Sequence, residues 1–215
     1  MKYCSVPWCG RTVINSDLCI RHRTQVYLHG YTYRNTYDPN EYTVINGVCE
    51  VALTDRKLNI LAITLVDLMD IEKVLKYRWY LGPSGYAQNK NKRIRLHRYI
   101  MGLADDSLVI DHINHDKLDN RKSNLRICTH SENHAARRIQ SNNTSGYKGV
   151  TYDKARSKYE VQIKFNGKKY FVGRFRNIID AALAYNEKAL ELHGDFAVLN
   201  NIPEEDKRKR HDIEG

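Results

Sequence analysis

Between two short apolar strips the chain carries VIDHINHDKLDNRKSNLRICTHSENHAARR, residues 109–138. So polar a run would ordinarily be a solvated loop, yet its flanks are not loop-like. SLVID reads as a short strand ending at Asp111-His112, and NLRIC as a second strand. Between them lies the polar NHDKLDNRKS. After them THSENHAARR opens a helix, with Thr129 or Ser131 as its cap. Strand, loop, strand and helix can fold back so that the end of the first strand faces the first turns of the helix. That return would bring Asp111 and His112 near Asn133.

These residue types suit metal-assisted hydrolysis of a phosphodiester. A hard divalent ion such as Mg2+ prefers oxygen ligands, and Asp111 and the Asn133 side-chain carbonyl both offer oxygen. Two protein ligands leave coordination positions for water and a scissile phosphate, which the ion can polarise. His112, beside a ligand but free of the ion, is placed to take a proton from attacking water. Its ring needs an orienting partner on the other nitrogen, and Asn124 is a candidate.

The ordered landmarks D-H, D-N-R-x-x-N-L-R and E-N resemble the HNH nuclease motif, in the branch found in phage and intron-encoded homing endonucleases. The resemblance implies a ββα-metal fold. It makes His112 the general base and Asp111 and Asn133 ligands of one catalytic divalent ion, Mg2+ or Mn2+. Asn124, the middle letter, orients or braces the loop. The third letter is Asn133 rather than histidine, with His134 adjacent as an alternative ligand. His115 and His130 fall to loop or phosphate contacts. Asn120 and Arg121 fix the loop, and Arg121 can also meet phosphate.

Composition agrees with a polyanionic partner. The 215 residues carry a formal net charge of +10 and a pI near 9.3. Nucleic acid is the first candidate, an anionic membrane surface the second, and solubility alone the bland alternative. No run of about 18 apolar residues suggests a membrane span. The start, MKYCSVPWCG, lacks the apolar stretch of a secretory signal. A reducing interior is therefore expected, with cysteines serving as metal ligands or core residues. On that expectation the NNTS glycosylation match at Asn142 and Asn143 carries no meaning.

At the N-terminus, CSVPWCGRTVINSDLCIRH holds Cys4, Cys9, Cys19 and His22 in a C-x4-C, C-x2-H array. Zn2+ favours four such ligands in a tetrahedron. A segment this short cannot bury a core, so an ion would have to hold it together. The competing reading is chance clustering of reduced thiols. Cys49 and Cys128 lie in apolar surroundings and read as buried thiols. Residues 24–42, rich in Tyr, Asn and Thr without periodicity, read as a linker or arm. TVINGVCEVALTD follows as a hairpin turning at Asn46-Gly47. ITLVDLMDIEKVLKYRW reads as a strand and a short helix. GYAQNKNKRIRLHRYIMG reads as a strand pair across a basic turn, entering a helix that stops at Gly102. Arg93, Arg95 and Arg98 suit phosphate or a solvated face equally.

After IQSNNTS the rhythm changes. YKGVTYD, KYEVQIKFN and KYFVGRF are three short strands, and Asn166-Gly167 turns the second hairpin. NIIDAALAYNEKALELHG is a helix entered at Asn177, with Ile178, Ala181, Ala182, Tyr185, Ala189 and Leu192 on one stripe. The elements Y-K-G-V, G-R-F, A-A-L-A-Y-N and G-D-F-A-V-L-N resemble the Apetala-two/ethylene-response-factor DNA-binding domain. That resemblance implies a three-stranded antiparallel sheet on one helix, with the exposed sheet face entering a DNA groove. The plant members read bases with Arg and Trp. Here the comparable places hold Thr151, Asp153, Gln162, Lys164, Lys169 and Phe171, so base contacts do not transfer. Lys148, Arg156, Lys158 and Arg174 join Gln162, Lys164, Lys169 and Phe171 as expected DNA-binding residues. The tail PEEDKRKRHDIEG reads as solvated, its KRKR a weaker match to a nuclear-import or phosphate-contact signal.

The expected architecture is α+β and multi-module. It comprises a zinc knuckle at 1–25, a linker and small α+β module at 26–85, an HNH nuclease core at 86–140, an Apetala-two-like domain at 146–201 and a charged tail at 202–215. The expected function is site-specific, homing-type cleavage of double-stranded DNA by a monomer, in the cytoplasm of a bacterial or phage-infected cell. The alternative is a non-catalytic DNA-binding regulator built on the same scaffold.

Overall fold

The structure, a computed structural model, describes residues 2–35, 38–89 and 91–205. The basic KRKR of the tail lies outside the described residues. The chain divides into two compact units, one of Met1–Asp106 with Ile110–Arg126 and the other of Ser107–Val109 with Ile127–Gly215.

The first unit opens with a two-stranded hairpin, β1 (Lys2–Tyr3) and β2 (Thr12–Val13), followed by helix α1 (Ile20–His29). Here the structure departs from the expected linker at 24–42, because α1 runs to His29 and ends at Gly30 in the left-handed conformation, φ 76°. The helix was invisible to apolar periodicity because its buried residues are His22 and Gln25. The stretch beyond is tied down as well. Asp38 and Asn40 are buried, and the Asn40 amide donates to Ala52 O at 2.7 Å and Trp79 O at 2.9 Å.

Strands β3 (Tyr42–Ile45), β4 (Val48–Thr54) and β5 (Ile60–Asp67) form an antiparallel sheet in that order. Its first turn is the expected Asn46-Gly47, with φ of 50° and 79°. Such a pair of left-handed residues makes the turn whose twist matches the strands. A short helix α2 (Ile71–Val74) leads to a second sheet, β6 (Tyr80–Leu81), β7 (Ala87–Asn89) and β8 (Ile94–Arg95), and then helix α3 (Leu96–Met101). The expected division at 85/86 has no counterpart, since β6 and β7 pair across it. One core spans both sides, with Cys49, Val51, Leu53, Val66, Val74, Trp79, Leu96 and Ile100 packed together.

Strands β9 (Leu108–His112) and β10 (Leu125–Thr129) form a two-stranded sheet through which the division into units passes. Helix α4 (His130–Ala135) follows in the second unit. Of the two expected caps the structure uses Thr129: its hydroxyl accepts from Glu132 N, and the Glu132 carboxylate accepts from Thr129 N at 2.7 Å. The rest of the unit is a three-stranded antiparallel sheet, β11 (Val150–Asp153), β12 (Lys158–Phe165) and β13 (Lys168–Phe175), covered by helix α5 (Ile178–His193). Val150, Val161 and Ile163 meet Ala181, Tyr185 and Ala189. The small alanines let the helix lie close on the sheet.

Candidate active site

The expected reaction-centre residues fall on both units. Asp111 and His112 end β9, and Asn124 precedes β10, all in the first unit. Asn133 and His134 lie on α4, in the second.

In the first unit the polar loop 113–124 is built as an extension of the β3–β5 sheet. The outer edge of β5 receives it: Leu65 N donates to Leu118 O and Asn120 N donates to Leu65 O, each at 2.8 Å. The Thr64 hydroxyl donates to Leu118 O at 2.7 Å. An open edge of backbone donors and acceptors thus sets the loop's height against the rest of the fold. The Asp-Asn-Arg-x-x-Asn signature supplies the internal bracing. The Asp119 carboxylate accepts from Arg121 Nε at 2.8 Å, Arg121 Nη2 at 2.7 Å and Asn114 Nδ2 at 2.9 Å. Those hydrogen bonds from Arg121 hold the Asp119 carboxyl below its usual range. Asn124 accepts from Asn114 N at 2.9 Å and donates to Asp119 O at 2.8 Å, crossing the loop from side to side.

Asn124 therefore braces the loop but does not orient His112, as the sequence had also allowed. The group facing the imidazole is Asn120, whose Oδ1 lies 3.4 Å from His112 Nε2, and which itself donates to the Thr64 hydroxyl at 2.7 Å. The reason is geometric: both Asn124 amide atoms are already committed to the loop backbone and Asn114. Around His112 the structure adds residues from outside the motif. His97, on α3, sets its ring at 79° to the His112 ring with centroids 5.0 Å apart, and Tyr86 closes the wall at 5.8 Å. Arg95 and Lys117 lie over the Tyr86 ring at 4.7 Å and 5.0 Å. His97 and His112 are both buried, and burial lowers the pKa of each. For His97, burial together with His112, Arg95 and Arg98 brings it to about 3. The available signal was the adjacency of Leu96 and His97 inside an apolar helix, which gives no hint of its spatial neighbour.

Asp111 is buried and receives Arg126 Nε at 2.9 Å and Nη2 at 2.8 Å, both on Oδ2. Arg126 is the last letter of N-L-R, so the motif supplies the acid's counter-ion from the facing strand. A carboxylate held through one oxygen still has a second to offer as a ligand.

At the N-terminus, Cys4, Cys9, Cys19 and His22 are all buried, and their ligand atoms lie within 4.8 Å of one another. Cys4 Sγ is 3.3 Å and Cys19 Sγ 3.6 Å from His22 Nδ1, and Cys9 Sγ is 3.7 Å from Cys19 Sγ. Tetrahedral bonds of about 2.3 Å to sulfur and 2.0 Å to nitrogen put ligand atoms roughly 3.5–3.8 Å apart. The cluster could hold one metal ion with little adjustment. Cys49 and Cys128 are buried separately from it, as expected.

In the second unit, the sheet face opposite α5 presents Thr151, Glu160, Gln162, Lys164, Lys169, Phe171 and Arg174. Several of the expected DNA-binding residues have acidic partners there. Arg174 pairs with Glu160 at 2.8 Å, Gln162 donates to the same carboxylate at 2.5 Å, and Arg156 pairs with Asp153 at 2.9 Å. Phe171 is 56% exposed, with the Arg174 guanidinium 4.8 Å above its ring. Lys164 and Lys169 stand opposite each other in register, and Lys158 opposite Asp153. Lys148 is not on this face, and its ammonium is held by backbone carbonyls of the second unit.

The β-strand ending in Asp-His, the Asn-braced loop and the capped helix after β10 define a nuclease-type motif. The HNH endonuclease family model matches residues 96–135. An uncharacterized HNH endonuclease of Acanthamoeba polyphaga mimivirus is 31% identical over 169 residues, covering 76% of this chain and 87% of the relative. Protein 3.8 of Escherichia phage T7 is 32% identical over 88 residues, covering 41% of this chain and 72% of that protein. No solved structure matches. The chain belongs to the HNH endonuclease family.

Proposed function

We propose that the protein is a metal-dependent endonuclease acting on double-stranded DNA, with His112 as general base and Asp111 and Asn133 as oxygen ligands of Mg2+ or Mn2+. The observation that carries this reading is His112 itself. It is a buried imidazole, one residue from a buried carboxylate, with Asn120 at one ring nitrogen and its face walled by His97 and Tyr86. Burial favours the neutral ring, and a neutral ring is the form that accepts a proton from attacking water. The divalent ion, when bound, would polarise the phosphate and stabilise the departing oxygen. Departure of the 3′ oxygen leaves a 5′ phosphate. Arg95 and Lys117, beside Tyr86, suit the flanking DNA backbone.

The N-terminal cluster fits Zn2+ in a structural role, since all four ligands are protein atoms and none is left for substrate. The sheet face of the second unit, which resembles the Apetala-two DNA-binding surface, suits docking in a groove. Lys164, Lys169 and Lys158 would meet phosphate, while Gln162, Arg174 and Arg156 would have to exchange acidic partners for DNA. A single motif per chain suits a monomer that nicks, in a homing-type element of a phage or bacterial cell. Among the described residues no helix is long and apolar enough to cross a membrane.

Supercoiled plasmid carrying a cleavable site, incubated with Mg2+, tests the proposal. The parent chain should relax or linearise it, and His112→Ala should lower the rate by about 10²–10⁴-fold, the range of general-base catalysis. A parent protein that binds such plasmids and leaves them intact would make it a DNA-binding regulator instead.

A further inference from the structure

Helix α4 carries the proposed ligand Asn133, yet it has little of its own to hold it in place. It is six residues long, and Ala135 is its one buried residue. Helices this short do not persist without tertiary support. Between α4 and the β12 sheet lies a cavity of about 400 Å³, lined by residues that include His130, His134, Ile163, Tyr185 and His193. Ala135, with Ala136 just beyond it, is the helix's share of buried apolar packing.

Polar contacts stand at its two ends. Ser131 Oγ, in the first turn, accepts from Asn166 N in the β12–β13 turn at 3.0 Å. At the far end the Lys148 ammonium donates to Ala135 O and to Arg137 O, each at 2.6 Å. Ala135 O belongs to the set that a helix C-terminus leaves without intrahelical partners, Arg137 O lies just beyond the helix, and a cation there also suits the helix dipole. Lys148 in turn is anchored by its own backbone. Its N–H donates to Asn200 Oδ1 at 2.6 Å, and its carbonyl accepts from Asn200 Nδ2 at 3.1 Å. Asn200 exchanges two further bonds with Asn186 of α5, at 2.7 Å and 2.9 Å. A continuous chain of hydrogen bonds runs from α5 through Asn200 and Lys148 to the end of α4. It uses the closing asparagine of G-D-F-A-V-L-N and the lysine of Y-K-G-V.

We infer that Lys148 is a positioning residue for the nuclease reaction: it fastens the helix bearing Asn133 to the C-terminal sheet module, and it does not contact DNA phosphate. The inference rests on the assignment of Asn133 as a metal ligand. It makes the C-terminal module part of the metal site's support as well as a surface for DNA. Partial burial of the ammonium lowers the Lys148 pKa to about 8.

Cleavage rate as a function of Mg2+ concentration, together with DNA affinity as a function of salt, tests this in the full-length chain. Lys148→Met should raise the Mg2+ concentration for half-maximal rate, or lower the rate, by about 10–100-fold, as expected for loss of a group that orients a metal ligand. DNA affinity and its salt slope should stay at parent values. Lys148→Arg, which can still donate to both carbonyls, should recover most of the activity. Ser131→Ala loosens the other end without touching the core and should shift the Mg2+ dependence in the same direction by a smaller factor. A Lys148→Met protein with parent Mg2+ dependence and a salt slope reduced by about 0.9, the signature of one lost phosphate contact, overturns the inference. So does a misfolded Lys148→Met protein paired with a Ser131→Ala protein of parent Mg2+ dependence. Asn133→Ala separates the two layers: full cleavage by that variant removes the ligand assignment itself, whatever Lys148 does.

Discussion

The two units bury different chemistry. All but one of the buried polar or charged side chains among the described residues lie in the first unit, the exception being His193. The first unit buries His22, Asp38, Asn40, Asp70, Asn89, His97, Asp111, His112, Asp119, Asn120 and Asn124 beside its aliphatic core. The second relies on Val150, Val161, Ile163, Ala181, Tyr185 and Ala189. A buried polar group is tolerated only with a partner, so each of the first unit's groups commits its neighbours to one geometry. That is the property a reaction centre needs, and it leaves the first unit sensitive to metal and to protons. The second unit is sensitive to shape.

The largest difference should follow metal removal. The segment 2–29 buries three thiols and one imidazole around Val6, with Trp8, Val13 and Leu18 partly covering them. A structural Zn2+ contributes about 10–16 kcal/mol in small zinc folds, far more than this cluster's apolar burial can supply. Stripping the ion with a strong chelator, or replacing Cys19 with Ala, should release hydrogen-exchange protection across 2–29 and leave the β11–β13 sheet protected. Protection of 2–29 in metal-free protein would show that the hairpin and α1 stand without an ion, and one zinc per chain by metal analysis is the matching positive result.

This asymmetry also decides what the sequence could disclose. The second unit was legible because its core is apolar and periodic: alternating Val161, Ile163 and Phe165, then a helical stripe ending at Gly194. The Asn-Gly turns at 46–47 and 166–167 were legible because left-handed φ selects that pair. Asp111, His112 and Asn124 were legible as a motif, in which order and spacing carry the information. What stayed hidden was the polar interior. α1 turns His22 and Gln25 inward, so the 3.6-residue apolar rhythm is absent there. Asn120 and His97 come to His112 from 8 and 15 residues away, and Thr64, on the edge of β5, holds Asn120. No local pattern records that a loop will dock on a sheet edge. Lys148 reads as a phosphate contact because it lies in a basic module, and no local pattern records that its ammonium donates to Ala135 O and Arg137 O.

A shape-directed change should single out the second unit. Gly149 adopts φ +75°, and a Cβ there would lie 2.2 Å from the Tyr185 ring and 2.9 Å from Gln162 O. Tyr185 is buried, with burial pushing its phenol up to about 12. Gly149→Ala combines left-handed strain with overpacking and should cost about 2–5 kcal/mol. The loss should be the same at pH 7 and pH 5, since no charge is altered. Denaturant unfolding followed on the sheet measures it, and a cost under about 0.5 kcal/mol, the level of an ordinary surface change, would mean that α5 moves away freely.

Acid should do the reverse and act on the first unit. His97 has a folded pKa of about 3 against an ordinary value of 6.5, so between those limits the unfolded chain binds the proton and the native chain does not. Stability contributed this way is complete above pH 6.5 and is lost as the pH falls, by up to about 1.4 kcal/mol per pH unit. From pH 6.5 to pH 5 the loss is about 2 kcal/mol. Burial also lowers the pKa of His112, which adds to the slope in this window, and the depressed Asp119 carboxyl adds to it only once the pH falls toward 3.8 and below. Within the second unit His193 is the one buried histidine that follows them. His97→Phe keeps a ring against His112 and Tyr86 and removes the titrating nitrogen. Its stability at pH 5 relative to pH 7 should therefore be the higher by about 2 kcal/mol, while the slope of the second unit is unchanged. An unaltered pH dependence in that variant would move the acid sensitivity to the other buried groups and leave His97 as a packing residue.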